Sequence, residues 1–322
     1  MNVFSSVPRT ALATLPTPLL EAPRLSEAVG AEVWIKRDDL TGLLLGGNKA
    51  RKLEFLCGEA LAQGADTLVT GGGPGSNHGQ LTAAAAARLG LGCVVVCYGS
   101  APAPEPLGLR LTRRLGADVV FTGSPDRASV DARLDEAAAK LTADGGRPYV
   151  IPRGGASATG AVGYALAADE LAAQLAAEGI GSATLLLATG SCGTQAGLVA
   201  GADSAARLHV VGVPVSRSPA ECVERVARLA TGCAERLGSG RVFSEADVHL
   251  MGGFLGPGYG RPSPEGDAAV ELALRTESLV LDPVFTAKAM AALIAEARAG
   301  RLSGPVVFLH TGGTPAALAA LP

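Results

Sequence analysis

Four short segments combine the residue types from which a site for a small anionic molecule can be built. They cover residues 36–52, 71–80, 189–197 and 310–314. Each holds glycines beside amine, amide or hydroxyl side chains, and each contains or follows a short apolar run that predicts a β-strand. Ligands of open α/β sheets bind beyond the carboxyl ends of the strands. We therefore expect the four segments to meet at one site.

Lys49 is the candidate nucleophile of the first segment. It follows Gly46, Gly47 and Asn48 at the start of a predicted helix, and further basic residues come directly after it. A helix N-terminus and the neighbouring cations Arg51 and Lys52 both disfavour a protonated amine. A neutral lysine could form an imine with an aldehyde cofactor. A solvated basic helix start would give the same sequence, so this segment alone leaves both interpretations open.

The second segment places Ser76, Asn77 and His78 between a glycine-rich turn and an alanine-rich helix. Glycines let backbone N–H groups approach a ligand, and the helix N-terminus favours an anion such as a carboxylate. These three side chains would then face the ligand. A tight turn with Ser76 as a helix cap is the alternative.

The third segment is a candidate phosphate loop. Backbone donors, hydroxyls and the dipole of the following helix can surround an anion there; the residues are Gly190, Ser191, Cys192, Gly193 and Thr194. The loop lacks the Lys-Ser/Thr of a P-loop and the G-x-G-x-x-G spacing of a dinucleotide site, so ATP and NAD fit poorly. Cys192 is interpreted as small-residue filler, although a thiol at a helix start can have a lowered pKa.

The elements that position these segments alternate between apolar β-branched runs and alanine- and leucine-rich stretches at helical spacing. This alternation predicts an α/β fold with parallel strands covered by helices on both faces. The predicted strands are 32–36, 67–70, 93–98, 118–121, 148–151, 184–188, 209–214 and 306–310. The predicted helices are 49–62, 78–89, 129–142, 160–177, 195–202, 219–237 and 286–299.

The amino-acid composition and the net charge exclude several classes of function. The 322 residues are 48% hydrophobic and 18% charged, enough for a large core and about two domains. A net charge of -3 without a basic run predicts no nucleic-acid partner. Residues 183–202 carry no charge, but polar and flexible residues interrupt them, so no membrane span is expected. The N-terminus does not have the pattern of a signal peptide. Six cysteines without C-x-x-C spacing predict reduced thiols in the cytoplasm and no metal site.

Taken in order, these residues resemble the D-cysteine desulfhydrase and 1-aminocyclopropane-1-carboxylate (ACC) deaminase family. That family lies within the tryptophan-synthase-β-like, fold type II enzymes that use pyridoxal 5'-phosphate (PLP). The similarity is collinear over nearly the whole chain, through residues 16–19, 36–40, 47–54, 76–78, 154–157, 160–164, 190–197, 281–284 and 310–313.

The resemblance implies two open, twisted, mostly parallel sheets with helices on both faces and PLP in the cleft between two domains. The larger domain is expected at residues 1–47 and 156–322, and the smaller inserted domain at residues 48–155. It also implies a small amino-acid substrate and a homodimer.

The resemblance assigns roles to individual residues. Lys49 carries PLP as a Schiff base, with Asn48 beside it and Asn77 near the phenolic oxygen of the cofactor. Ser76, Asn77, His78 and Tyr259 lie on the substrate side, and Ser76 and Tyr259 join Lys49 as catalytic residues. The remaining cofactor contacts are the phosphate loop from Gly190 to Thr194, the Phe285 ring, and the Thr311 hydroxyl at the pyridine nitrogen.

Two departures from the family pattern bear on the reaction. Phe285 stands where the family usually has tyrosine, so a ring can stack on PLP but no hydroxyl can transfer a proton. The missing hydroxyl, together with Thr286 in place of an acidic residue, makes the hypothesis of ACC deamination weaker. Residues 73–75 are smaller than the residues that are common at these positions in the family, so a reshaped substrate pocket is expected. The leading hypothesis is β-elimination to a 2-oxo acid and ammonia. ACC deamination, β-replacement, racemisation and a catalytically inactive PLP-binding protein remain alternatives.

Overall fold

The computed structural model describes residues 6–202 and 208–320. Its strands form two separate sheets, and helices pack around both. Every strand pair is parallel except that of the first two strands, which is antiparallel. The predicted α/β class with two mostly parallel sheets is confirmed.

The larger sheet has six strands. In spatial order they are β1 (Leu19–Glu21), β2 (Val33–Lys36), β10 (Val306–Leu309), β7 (Ala183–Thr189), β8 (Leu208–Pro214) and β9 (His249–Leu250). The central strand β10 is buried along its whole length. A strand that is covered on both faces consists of a continuous run of apolar residues, as the sequence Val-Val-Phe-Leu of β10 does.

The smaller sheet has four parallel strands. Their spatial order is β5 (Asp118–Phe121), β4 (Gly92–Cys97), β3 (Thr67–Gly72) and β6 (Pro148–Val150). The strand order places β3 and β4 at the centre, and both are largely buried. The carboxyl end of β3, at Gly71 and Gly72, continues directly into the turn at residues 73–75.

Helices connect the strands and supply the rest of the core. They are α1 (Pro23–Val29), α2 (Lys49–Ala62), α3 (Asn77–Leu89), α4 (Leu107–Arg114), α5 (Ser129–Ala143), α6 (Ala158–Ala177), α7 (Gly193–Ala202), α8 (Pro219–Arg236), α9 (Pro264–Glu277), α10 (Thr286–Arg298) and α11 (Thr314–Ala319). Serine side chains cap several of them; Ser218, for example, forms a capping box with Glu221 at the start of α8. None of the described helices is long and apolar enough to cross a membrane.

Helix α2 lies in close contact with α6. A Cβ atom added to Gly163 would fall 2.2 Å from the Arg51 carbonyl oxygen, so only glycine permits this approach. The contact places Arg51 against the 3-10 helix at Asp38–Leu40 and against Glu170 of α6.

Arg51 is the centre of a buried ion network. Its guanidinium donates two hydrogen bonds of 2.9 Å to Asp38 and further bonds to Glu170, which also accepts from Lys36. Tyr164 donates to Asp38 at 2.6 Å. Burial by itself would raise the pKa of Asp38, but the charge and hydrogen bonds of Arg51 outweigh it and keep that pKa below its ordinary value. The network joins the larger sheet to α2, the helix that carries Lys49.

The predicted strands agree with the observed ones to within a residue or two. The strands that the sequence did not predict, β1 and β9, are three and two residues long. Helices α1, α4, α9 and α11 were also not predicted, although Ser263 and Pro264 give α9 an N-terminal signal. Apart from α9, which has 14 residues, these elements have eight residues or fewer, too few for a periodic pattern to emerge.

Candidate active site

One cleft lies where the carboxyl ends of strands from both sheets face each other. The empty space within it is about 990 Å³, part of it open to solvent. Its walls include the ends of β3 and β7, the first residues of α2 and α3, and the loops after β5, β8 and β10. All four segments singled out in the sequence contribute to this cleft.

Lys49 is the first residue of α2 and lines the cleft. Burial lowers the pKa of Lys49 to about 8. Because its pKa is lowered, Lys49 loses its proton at a lower pH than an ordinary lysine does. About half of the Lys49 side chains are neutral near pH 8. A neutral amine of this kind can act as a nucleophile.

The expected direction of this shift is confirmed, but its cause is different from the one expected. Burial is the largest cause, and Arg51 points away from the cleft into its ion network. Lys52 does lie beside Lys49, and it is the more perturbed of the two: burial and the charge of Lys49 hold the pKa of Lys52 well below its ordinary value. Lys52 Nζ donates to the Gly154 carbonyl oxygen at 3.3 Å.

The segment from Ser76 to His78 forms the N-terminus of α3. Ser76 caps the helix, since its Oγ accepts from the Gly79 N–H at 3.3 Å, and it lines the cleft as well. Gln80 donates to Asn77 Oδ1 at 2.9 Å. Because this bond occupies the Asn77 oxygen, the Asn77 amide nitrogen is left as a hydrogen-bond donor for a ligand.

His78 is buried, and its tautomer follows from its neighbours. Thr70 Oγ1 donates its proton to the Ile151 carbonyl oxygen at 2.8 Å, so it must accept from His78 Nε2 at 2.9 Å. Burial, together with the charges of Lys49 and Lys52, holds the pKa of His78 well below its ordinary value. The neutral ring thus keeps an acceptor at Nδ1, and no described residue pairs with that atom.

The candidate phosphate loop connects β7 to α7 and is surrounded by cations. Arg217 donates to the Gly190 carbonyl oxygen at 2.9 Å, and Arg225 donates to the Ser191 carbonyl oxygen at 3.2 Å. Neither arginine, nor Lys52, forms an ion pair with a carboxylate of the described residues. Positive charge without a counter-ion beside a helix N-terminus favours a bound anion.

Cys192 adopts a φ of 72° within this loop. A hydrogen bond with Cys222 lowers the pKa of Cys192, while both side chains remain in the core of the larger sheet. The packing of Cys192 agrees with its interpretation as small-residue filler, and its pKa is lowered through Cys222.

Phe285 is held in place by Asp282. The Asp282 carboxylate accepts the backbone N–H groups of Val284, Phe285 and Thr286 at 2.8–3.0 Å and so caps α10. The Phe285 ring meets the Tyr259 ring edge-on, with centroids 6.1 Å apart. A Cβ added to Gly190 would lie 3.1 Å from this ring. The phenyl face is thus fixed next to the candidate phosphate loop.

Thr311 follows β10 and completes the wall behind Lys49. Its carbonyl oxygen accepts the Asn48 N–H at 3.0 Å, and its side chain lines the cleft. The Asn48 side chain donates to Thr194 Oγ1 at 3.0 Å and so links the start of α2 to the start of α7. Among the described residues, the Thr311 hydroxyl has no hydrogen-bond partner.

The cleft brings together nearly all the site residues expected from the sequence. They are Asn48, Lys49, Ser76, Asn77, His78, Gly190, Ser191, Cys192, Thr194, Tyr259, Phe285 and Thr311. Gly193 does not line the cleft; it begins α7 behind the loop, packed against Ala156. The described residues hold no cluster of metal-binding side chains.

Sequence reasoning did not select Tyr98, Arg127 or Arg217, which also line the cleft. All three follow strands: Tyr98 comes directly after β4, Arg127 lies in the loop after β5, and Arg217 in the loop after β8. The rule that ligands bind beyond strand ends applies to these positions too and could have found them.

Comparisons with known proteins agree with this geometry. The model of the family described as "Pyridoxal-phosphate dependent enzyme" matches residues 10–312. This chain belongs to the pyridoxal-phosphate-dependent enzyme family. It is 44% identical to D-cysteine desulfhydrases of Salmonella choleraesuis (strain SC-B67) and Salmonella paratyphi C (strain RKS4594), over 99% of this chain and 98% of each relative.

Two solved structures illustrate the shared fold. One, described as an ACC deaminase homologue, is 35% identical, covers 99% of both chains and has a TM-score of 0.90. A fungal L-serine ammonia-lyase from Rhizomucor miehei is 19% identical and has a TM-score of 0.70, which shows likeness of fold alone. That match covers 96% of this chain and 97% of the fungal one.

The cleft of this family member fits the cofactor that gives the family its name. It offers a lysine of lowered pKa, an anion-binding loop beside unpaired cations, a fixed aromatic face, and a hydroxyl and an amide N–H without partners. PLP contains an aldehyde, a dianionic phosphate, an aromatic ring, a ring nitrogen and a phenolic oxygen. The residues that line the cleft are of types that suit each of these groups.

Gly154→Ala is expected to weaken PLP binding by at least about tenfold. Gly154 has a φ of 72°, and an added Cβ would lie 2.6 Å from Ser191 Cβ and 3.8 Å from Lys49 Nζ. The methyl group would force the phosphate loop away from Lys49. Titration of the cofactor-free protein with PLP, followed by absorbance, measures the change.

Gly123→Ala is the matched control for this substitution. Gly123 has a φ of 75° with no atom within 4 Å of an added Cβ, so it carries the backbone strain without the collision. Equal PLP affinities in the two variants would contradict the role given to Gly154.

Proposed function

We propose that this enzyme is a lyase that eliminates the β-substituent of a small amino acid, as the name of its D-cysteine desulfhydrase relatives indicates for them. The products are a 2-oxo acid, ammonia and the leaving group. The observation that carries the proposal is Lys49: an amine whose pKa is lowered to about 8, at the wall of a cleft between the Ser76 turn and the anion loop.

The cofactor would be held by Lys49 and by the loop that lies beside it. Lys49 would hold it covalently through Nζ, and residues 190–194 with Arg225 would hold its phosphate. Asn77 would donate to its phenolic oxygen, since Gln80 already occupies the other side of that amide. When bound, PLP supplies an electron sink that lowers the cost of removing the Cα proton of the substrate.

Lys49 is proposed as the base that accepts the Cα proton at Nζ. Burial favours its neutral form, which is the form that can accept a proton. The N-terminus of α3 with Ser76 would bind the substrate carboxylate through backbone N–H groups. His78 Nδ1 is an acceptor rather than a donor, so we assign it to an N–H group of the substrate and not to its carboxylate.

Tyr259 is proposed as the remaining catalytic residue on the substrate side. Burial, and then the nearby Tyr98, raise the pKa of Tyr259. Its hydroxyl would therefore stay protonated at neutral pH and could donate a proton or hydrogen bond to a departing group.

ACC deamination is the second candidate, because a structure with a TM-score of 0.90 is described as an ACC deaminase homologue. Phe285 argues against it. The ring is fixed beside the cleft by Asp282, yet it has no hydroxyl with which to transfer a proton.

The wider assignments are proposals as well. The two sheets support a larger domain of residues 1–47 and 156–322 and a smaller one of residues 48–155, although α2 packs on both sides of that boundary. The six cysteines are free thiols, which supports a reducing, cytoplasmic location. A homodimer without a nucleic-acid partner is the assembly that we propose.

A panel of amino acids tests the reaction. We expect D-cysteine and β-chloro-D-alanine to release pyruvate and ammonia, because both carry a leaving group on Cβ. ACC is expected to give no 2-oxo acid. Faster turnover of ACC than of D-cysteine would reverse the choice between the two candidates. Changes in cofactor absorbance without any product would instead indicate a binding protein.

A further inference from the structure

One wall of the cleft carries three hydrogen-bond donors, Arg127, Tyr98 and Tyr259, from which no carboxylate of the described residues accepts a hydrogen bond. Arg127 lies over the Tyr259 ring, with its guanidinium carbon 4.3 Å from the ring centroid, and donates to the Ser216 carbonyl oxygen at 3.2 Å. Among the described residues no carboxylate pairs with Arg127. The hydroxyls of Tyr98 and Tyr259 also have no hydrogen-bond partner in the described part of the chain.

Negative charge is scarce in the same region. Asp282 is the one carboxylate among the residues that line the cleft, and it is occupied by the backbone N–H groups at the start of α10. Arg153 also lines the cleft, but it is already paired with Asp131.

Glu221 lies nearby, and the hydrogen bonds of Ser218 lower the pKa of its carboxyl group. The charges of Arg217 and Arg127 lower this pKa further, but among these described residues the Glu221 carboxylate forms no ion pair with either guanidinium. A partly buried guanidinium without a paired carboxylate favours a ligand that supplies the negative charge.

This cluster is separate from the other two anion positions. The phosphate loop has its own cations in Arg225 and Lys52. The N-terminus of α3 at Ser76 is the proposed position of the substrate carboxylate. Arg127 reaches the cleft from the loop after β5 and, within the described part of the chain, is linked by hydrogen bonds to the phosphate loop only through Ser216, whose Oγ donates to the Gly190 carbonyl oxygen at 2.9 Å. A third negative charge is therefore expected on the ligand.

The small turn before Ser76 leaves room beside this cluster. A Cβ added to Gly73 would lie 2.9 Å from the Tyr98 hydroxyl, so a larger residue there would displace Tyr98. A Cβ on Gly75 would meet no atom within 4 Å. The Tyr98 hydroxyl keeps its place because residue 73 has no side chain.

We infer that Arg127, Tyr98 and Tyr259 bind a tetrahedral oxyanion carried on the β-carbon of the substrate, such as a sulfonate or a phosphate ester. The inference rests on the proposed β-elimination. In that reaction Lys49 takes the Cα proton and the Cβ–S or Cβ–O bond breaks with its electron pair remaining on the departing sulfite or phosphate. Water then releases the 2-oxo acid and ammonia. Arg127 stabilises the charge that grows on the leaving group.

The test compares the holoenzyme with its Arg127→Gln variant on both enantiomers of cysteate, O-phosphoserine and cysteine. We expect the wild-type enzyme to prefer cysteate or O-phosphoserine over cysteine. Comparison of kcat/KM for cysteate with kcat/KM for O-phosphoserine shows whether the site favours a sulfonate or a phosphate ester. Arg127→Gln should lower kcat/KM for the preferred substrate about 10- to 100-fold, because it removes a charged hydrogen bond. The value for cysteine should change less than about threefold, and cofactor absorbance should not change.

Arg133→Gln is the matched control. Arg133 lies on α5, is exposed and pairs with Glu136, so this substitution removes the same charge away from the cleft. Arg127→Lys, which keeps the charge, should recover part of the preference. A higher kcat/KM for cysteine in the wild type, an equal loss on all substrates, or loss of cofactor from Arg127→Gln would each overturn the inference.

Calorimetry separates this inference from the proposed reaction. If no amino acid is turned over, the lyase proposal fails, but cysteate or phosphoserine should still bind the wild-type holoenzyme more tightly than the Arg127→Gln variant. Equal binding to both proteins would overturn the oxyanion site by itself.

Discussion

Replacing Lys49 by alanine is expected to lower kcat/KM by about 10³-fold or more, because the loss of a positioned general base alone costs 10²- to 10⁴-fold. The substitution also removes the amine that would hold PLP covalently. Lys49 begins α2 and lines the cleft, and alanine suits a helix start, so the fold should persist. Release of 2-oxo acid and the visible absorbance of the purified protein measure the two effects.

Lys140→Ala is the control for Lys49→Ala. Lys140 is exposed in the last turn of α5, far along the chain from the four site segments. It should leave activity and absorbance unchanged. Lys49→Arg extends the comparison, since it keeps a positive charge but supplies no amine that can be deprotonated near pH 8. Undiminished activity in Lys49→Ala would show that another residue is the base.

The second large effect concerns stability. Arg51→Met is expected to lower the melting temperature of the holoenzyme by roughly 5–10 °C, because breaking a buried ion pair costs about 3–5 kcal/mol. Arg51 is 1% exposed and Asp38 is fully buried. Methionine preserves most of the buried stem but leaves the Asp38 carboxylate without its bidentate partner. Thermal unfolding followed by circular dichroism measures the shift.

Arg133→Met tests whether the effect depends on burial. Arg133 forms an ion pair with Glu136 on the exposed face of α5, and such surface pairs contribute little to stability. Its melting temperature should stay within about 1–2 °C of the wild type. A shift of similar size in both variants would mean that the Arg51 network is no more important than a surface pair.

Lys49, Arg51 and Lys52 illustrate how far the sequence could predict the site. The glycine turn and the helix start were evident locally, and they put Lys49 at the end of a strand. The sequence could not tell which way its two basic neighbours point. The packing of α2 on α6 directs Arg51 to Asp38 and leaves Lys52 beside Lys49.

Ser76 and Gln80 show a similar limit. Helix capping and ligand binding were alternatives for Ser76 in the sequence, and the geometry is compatible with both at once, since Ser76 caps α3 and lines the cleft. Gln80 was not predicted as a site residue because glutamine is common in helices. Only its contact with Asn77 reveals which end of that amide is free.

The sequence by itself determined the α/β class, the approximate bounds of the central strands and of the long helices other than α9, and the placement of four polar segments at strand ends. These follow from periodicity and turn residues, which act over a few positions along the chain. The tertiary structure decided that Arg127, Tyr98 and Tyr259 face one another, and that Arg51 is structural while Lys49 lines the cleft. Such groupings depend on the crossing of helices and on loops from two different sheets, and side chains brought together in this way leave no periodic pattern in the sequence.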